Sequence, residues 1–240
     1  VVRVAATPIV GETPIDVVIV GGQSNAMGWG SNAAKLSAEN RHYADAPNPH
    51  ALLGYHYQGL GDPVASVGSM GLLDTQGSGF PGHFDGFGPE LSMGTDLTVG
   101  IGNKPTAIIK FTVGGAGLNQ NFRKVGATST PYYSPMMTHI KTMLSQLRAM
   151  GYAPRLRAFF WLQGETDALY GTSHLYEANI IQFMADIRND TASPWLQFYL
   201  TELNPNMPDL ADKPGMLAVN AAMHAARQTN PCDIQVIPTD

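Results

Sequence analysis

Residues 16–20 read Asp-Val-Val-Ile-Val and run directly into Gly21-Gly22-Gln23-Ser24. A short β-branched run closed by a double glycine predicts a buried strand that ends in a tight turn. The same grammar recurs downstream. Residues 107–113 (AIIKFTV) end in Gly114-Gly115, and 157–162 (RAFFWL) lead into Gln163-Gly164-Glu165. Runs at 195–200 (WLQFYL) and 234–237 (IQVI) bring the expected strands to five.

Helical patterns separate these runs. Met136, Ile140, Met143, Leu144 and Leu147 recur at helical spacing, with Gly151 just past the end as a cap. Leu175, Ile180, Phe183, Met184 and Ile187 form a second stripe, and Met216, Val219, Met223 and Ala226 a third. All three read as core packing. Strands alternating with helices predict right-handed βαβ units, hence an α/β fold: a doubly wound, mostly parallel five-stranded sheet with helices on both faces. Ligands of such sheets bind beyond the carboxyl ends of the strands, near the point where strand order reverses. The turns at Ser24, Gly114-Gly115 and Gln163-Gly164-Glu165 should therefore converge.

One stretch resists this scheme. Residues 38–89 are rich in Gly, Pro, His and Tyr and show no long period of either kind. Long irregular segments in compact domains are usually functional or mobile. The expectation is an irregular lobe, inserted after the first strand–helix unit and lying over the strand ends. Residues 1–240 are otherwise read as a single domain, without internal repeats or low-complexity tracts.

Composition excludes several classes. Hydrophobic residues make up 44% of the 240, enough to bury a full core. The formal net charge is −5, charged residues are 14%, and no Lys/Arg cluster suited to nucleic acid occurs. No apolar run approaches the roughly 20 residues of a membrane-spanning helix. A single cysteine, Cys232, rules out an intrachain disulfide framework and a thiolate metal cage. The sequence opens Val1-Val2-Arg3 without methionine, read as a removed leader or a domain cut from a longer polypeptide. Few charges, 26 Gly and 17 Pro suit an extracellular or cell-surface protein.

Chemistry follows from the turns. A serine directly after a buried strand, flanked by glycines, can present its hydroxyl where helix N-terminal amides point. Such a hydroxyl needs a base to take its proton and donors to hold the developing oxyanion. Ser24 taken alone fits a helix N-cap as well. Gly114-Gly115 leaves backbone N–H groups unhindered, which suits an oxyanion donor or a plain tight turn. Trp161-Leu162-Gln163-Gly164-Glu165-Thr166-Asp167 places an amide and two carboxylates after a strand. Glu165 could orient a histidine and Gln163 could donate to an oxyanion, or both could be polar caps.

Four blocks in order carry a resemblance: Gly22-Gln23-Ser24-Asn25 with Gly28, then Phe87-Gly88-Pro89-Glu90-Leu91, then 110–115 with Leu118, then 161–167. From about residue 16 to 240, outside the 38–89 lobe, the chain resembles the SGNH-type carbohydrate esterases, grouped with sialate O-acetylesterases and acetylxylan esterases. The resemblance implies a flavodoxin-like SGNH hydrolase that removes O-acetyl groups from carbohydrate without metal or organic cofactor. Ser24 is implied as nucleophile, with the Ser24 amide, Gly115 and Gln163 as oxyanion hole and Glu165 as partner of the catalytic histidine. Gln23, Asn25, Tyr55 and Tyr57 are candidate substrate contacts; Phe80, Phe84 and Phe87 join the two tyrosines as aromatics able to stack on sugars or form the lobe's own core. Ala26, inserted before Met27, departs slightly from the pattern. A decayed carbohydrate-binding or structural domain, or an esterase of lipids or small esters, would fit the same scaffold.

The larger departure concerns the base. The resemblance implies a histidine in an Asp-x-x-His segment shortly after the last strand, whereas the given sequence ends at Asp240. The histidine is therefore expected beyond Asp240, or from elsewhere. Of the seven present, His139 and His224 sit in helical patterns and His174 at a helix start. His42, His50, His56 and His83 lie in the lobe, within conceivable reach of the site.

Overall fold

The computed structural model describes residues 12–59, 65–66, 69–75, 86–206 and 213–239. Calls on Phe80, His83 and Phe84, and on both chain ends, lie outside the described residues.

The run at 16–20 lies within β1 (Thr13–Gly22), which is followed by a short helix α1 (Ser24–Met27). The segment expected to be a lobe contributes β2 (Asn48–Gln58), β3 (Ala65–Ser66) and β4 (Gly71–Leu73). Next come α2 (Glu90–Gly100), β5 (Thr106–Val113), α3 (Tyr133–Ala149), β6 (Tyr152–Leu162) and α4 (Glu165–Leu169). The chain continues through α5 (Tyr176–Asp190), β7 (Gln197–Thr201), α6 (Lys213–Thr229) and β8 (Ile234–Ile237). All belong to an α/β fold around one sheet, ordered β3-β2-β5-β1-β6-β7-β8, with β4 also paired to β2. β2, β5, β1, β6, β7 and β8 run parallel, while β3 and β4 are antiparallel to β2.

The sheet is thus wider than five strands, and 38–89 is not wholly irregular. β2 sits beside β5, in register from Ala51 opposite Thr106 to Gln58 opposite Val113. Its sequence, NPHALLGYHYQ, hides this because Pro, His and a central Gly interrupt the apolar alternation. A Cβ at Gly54 would lie 2.3 Å from Met143 Sδ and 2.5 Å from Met70 Sδ, so close packing leaves no room for a side chain that would signal the strand. α2 is hidden in the same way. Its buried face is Glu90, Leu91, Gly94 and Thr98 rather than an apolar stripe. At Gly94 a Cβ would lie 2.4 Å from Leu73 and 2.9 Å from Ile108.

Alternation divides the strand side chains between two faces. Ile15, Val17, Ile19, Ile109, Phe111 and Phe159 join the large core with the buried stripes of α3, α5 and α6. Val20, Ala51, Leu53, Leu73 and Ile108 form a smaller cluster beneath α2. Each fully buried aliphatic or aromatic side chain contributes about 1.5–3 kcal/mol. Lys110 points into the α2 face, fully buried at mid-strand, where burial lowers its pKa and Glu90 at 2.8 Å pulls it back up.

Another ionisable group in the core is His139 on α3, stacked loosely near Phe111 and His56, with ring centroids 6.0 and 5.9 Å away. Burial, the largest cause, lowers its pKa from 6.5 to about 4; carbonyls of Gly54 and Lys110 act the other way, and neighbouring His56 lowers it further. A depressed histidine is held neutral by the fold, so stability is intact above pH 6.5 and lost as pH falls toward 4. The expected loss is at most about 3 kcal/mol. Urea unfolding at stepped pH should show it in the parent protein and not in His139→Phe. His56, lowered in the same direction, and Glu165 and Asp167, raised, are common to both proteins and cancel in the difference.

Candidate active site

β1 lies inside the parallel set, where the chain builds β2 and then the intervening β5 on one side before reversing to β6, β7 and β8 on the other. This is the position at which open α/β sheets bind ligands. Gly22, at the end of β1, is opposite Thr112 of β5 and Leu162 of β6. Residues Ser24, Gly114-Gly115 and Gln163 therefore leave adjacent strands at one end of the sheet.

Glycine makes the turn that carries Ser24 possible at two points. A Cβ on Gly22, whose φ is +145°, would lie 2.0 Å from the Leu162 carbonyl oxygen. A Cβ on Gly28, φ +91°, would lie 1.8 Å from the Phe87 carbonyl oxygen. The second glycine thus closes α1 in the left-handed region and lets 87–88 pack against it. Within the turn, Gln23 O accepts from Met27 N at 2.9 Å, and Ser24 O accepts from Gly28 N at 3.1 Å and Trp29 N at 3.0 Å. From below, the Lys110 ammonium donates to the Met27 carbonyl at 2.9 Å while Glu90 accepts from Gly88 N at 2.7 Å.

Ser24 lines a cavity of about 240 Å³ with Trp29, Gly114 and Gly115. The N–H groups of Ser24 and Gly115 meet no acceptor among the described residues. Beyond the double glycine a second cavity, about 310 Å³, continues along Gly114–Ala116 toward Thr130, Tyr132 and Tyr170.

Under these surfaces lies a buried polar floor. The Gln163 amide nitrogen shares its two hydrogens among Asp167 Oδ2 at 2.8 Å, Gln23 Oε1 at 3.1 Å and Ala116 O at 3.2 Å. Gln23 Oε1 also accepts from Thr166 N at 3.3 Å. Asp167 accepts from Leu118 N, Asn119 N and Thr172 Oγ1 at 2.7, 2.9 and 3.2 Å. Burial pushes its carboxyl pKa up and these donors pull it back. Tyr176, fully buried, donates to the Gln163 carbonyl at 2.7 Å and accepts from Trp161 Nε1 at 3.1 Å. Gln23 and Gln163 therefore face inward, as braces between the first and last blocks.

Glu165, also buried, accepts from the Asn25 side-chain amide through Oε1. Its Oε2 meets no donor among the described residues. Burial is the main cause of its raised pKa. An acceptor held without a donor in a buried position costs stability and marks a place where an N–H would be gained.

Other expected participants lie apart. Tyr57 is buried and stacks on Tyr55 with centroids 5.3 Å apart; neither lines the cavity at Ser24. Phe87 lines a different cavity with Tyr43 and Leu91. None of the described histidines bonds to Ser24. His56 stacks on Phe111 at 4.5 Å, His224 bonds Glu202 at 2.5 Å, and His42 and His174 contact backbone carbonyls at 2.7 and 3.1 Å. Trp29 and Tyr170 were not singled out from the sequence. Trp29 stands one residue past Gly28, close enough to the Ser24 turn to have been found, whereas nothing local marks Tyr170.

A hydroxyl at the switch point, with unpaired N–H groups beside it and a buried carboxylate below, is the layout of an α/β ester hydrolase. The chain belongs to the family described as "Carbohydrate esterase, sialic acid-specific acetylesterase", whose model matches residues 14–238. It is accordingly a carboxylic ester hydrolase. No curated protein matches the sequence. Among solved structures the chain is similar to NanS, with 18% identity, a TM-score of 0.66, and coverage of 97% of this chain and 79% of that one. A protein from Arabidopsis thaliana gives 16% identity and a TM-score of 0.60 over 94% and 85% of the two chains. A carbohydrate acetylesterase from Xanthomonas citri gives 17% and 0.58 over 94% of this chain and 52% of that one. At these identities the structural likeness speaks for the fold alone.

Proposed function

We propose that this protein removes O-acetyl groups from carbohydrate through a Ser24 acyl-enzyme. The family supports deacetylation in general, and the similar structure from Xanthomonas citri, described as a carbohydrate acetylesterase, agrees with it. One observation carries the finer reading: Ser24 and Gly115, whose N–H groups meet no acceptor among the described residues, line the same cavity. Ser24 Oγ attacks the acetyl carbon while a histidine takes its proton, and the carbonyl oxygen becomes an oxyanion held by the two amides. Gln163, held inward by Gln23, Ala116 and Asp167, joins the hole only by releasing one of these acceptors as the charge develops. Collapse expels the sugar alkoxide, which takes the proton from the histidine. Water, deprotonated by the same histidine, then releases acetate and restores Ser24.

The vacant Oε2 of Glu165 supports a role in orienting that histidine and stabilising its charged form. We take the base to come from outside the described residues, whose histidines make no bond to Ser24. Composition supports an extracellular or cell-surface setting.

Acid-quenching the full-length protein during turnover of an acetyl ester, followed by peptide mapping, should find one acetyl group on Ser24. An unmodified Ser24 with acetyl on another residue would overturn the assignment. Glu165→Gln should lower kcat by about 10²–10⁴-fold, with KM little changed, because the amide offers the histidine the wrong hydrogen-bond partner. A kcat within a few fold of the parent would remove Glu165 from the mechanism.

A further inference from the structure

We propose that the sugar bound beside Ser24 is uncharged, and that Tyr170 is a specificity-determining residue for it. This inference rests on the esterase reading. The cavity continuing from Gly114–Ala116 is bordered by Thr128, Ser129, Thr130, Tyr132, Thr166 and Tyr170, and among the described residues no Lys, Arg, Asp or Glu lines it. Hydroxyls suit a ligand that presents hydroxyls. Tyr170 is 73% exposed, yet its ring borders the cavity. An aromatic side chain left in water at a cavity rim offers an apolar face for the C–H side of a sugar ring.

A sialic acid brings an obligatory carboxylate, and among the described residues no cation lines the cavity to receive it. Arg123 donates to Gly126 O at 3.1 Å and lines a neighbouring cavity; Lys124 pairs with Asp190 at 2.7 Å. Lys110 is buried against Glu90. Across 38–89 the sequence holds a single Lys or Arg, Arg41, which donates to Ala34 O at 3.3 Å. Glu165 and Asp167, both buried, flank the lining residue Thr166 in the chain without lining the cavity themselves. An anionic sugar would bind close to these carboxylates with no cation among the described lining residues to offset them, which disfavours it electrostatically.

The test uses the full-length protein with p-nitrophenyl acetate, acetylated xylobiose, O-acetylated N-acetylneuraminic acid and the carboxyl methyl ester of that sialate. The methyl ester should exceed the free acid in kcat/KM by about tenfold at low salt. Added salt should narrow the gap by screening. Tyr170→Ala should raise KM for acetylated xylobiose by about threefold to tenfold, more than it raises KM for p-nitrophenyl acetate. A free sialate cleaved as fast as its methyl ester would overturn the neutral-sugar inference while leaving the esterase reading intact; loss of that activity in Arg123→Gln would identify the cation responsible. Equal KM changes on the two acetates in Tyr170→Ala would overturn the role of Tyr170. No Ser24-dependent turnover of any ester would take down both readings.

Discussion

Ser24→Ala should lower kcat on an acetyl ester by about 10⁴–10⁶-fold while leaving the thermal unfolding midpoint unchanged. The large kinetic effect follows from the nucleophile and base acting as a unit. The absent structural effect follows from the turn itself, because Ser24 holds α1 through its backbone carbonyl and its hydroxyl makes no hydrogen bond among the described residues. Initial rates on p-nitrophenyl acetate, with folding checked by calorimetry, measure both quantities. A loss below about tenfold would sink the nucleophile assignment, since binding and oxyanion donors alone do not sustain such rates. A companion series replaces His42, His50, His56, His139, His174 and His224 one at a time. Turnover per folded molecule should stay of the parent's order in each, because none of them bonds to Ser24. Collapse in one of these variants would identify the base directly.

The largest effect on stability is expected at Lys110. This ammonium and the Glu90 carboxylate are both fully buried, 2.8 Å apart, in the face covered by α2. Removing one partner leaves the other charge without its counter-ion in a low-dielectric site, at a cost of about 3–5 kcal/mol. Lys110→Met and Glu90→Gln should each lose about that much, enough to leave a protein of ordinary stability largely unfolded. The paired change Lys110→Met with Glu90→Gln should recover more than half, because the glutamine still accepts from Gly88 N and no net charge stays buried. Urea midpoints of parent, singles and double close this cycle. An additive double variant would mean that the two charges do not stabilise each other. Even the recovered protein lacks the ammonium on the Met27 carbonyl, so α1, which carries Ser24, is held less firmly from below. The ion pair thus links the second block to the first, through Gly88 and Met27, where a sequence reading sees only unrelated residues.

The chain by itself determined what short-range chemistry can write. Strands β1, β5, β6, β7 and β8 and helices α3, α5 and α6 are legible because burial of β-branched or periodic apolar residues repeats within a few positions. The double glycines and Ser24 are legible for a related reason: a sharp strand-to-helix turn requires positive φ and close backbone approach at particular positions, as at Gly22 and Gly28. Tertiary structure alone decided the rest. β2 and α2 carry their packing on glycines, Gly54 and Gly94, whose purpose is the neighbour they admit and which leave no pattern of their own. Gln163 looks from its sequence context like an outward donor, but its amide is drawn inward by Gln23 and Asp167, and one of these lies 140 residues away along the chain. Thr128–Thr130 and Tyr170 share a cavity with Gly115 only because the segment after β5 and the end of α4 meet above the sheet. Contacts of that range depend on where distant strands end, and the fold supplies that information through strand order and register rather than through any local run of residues.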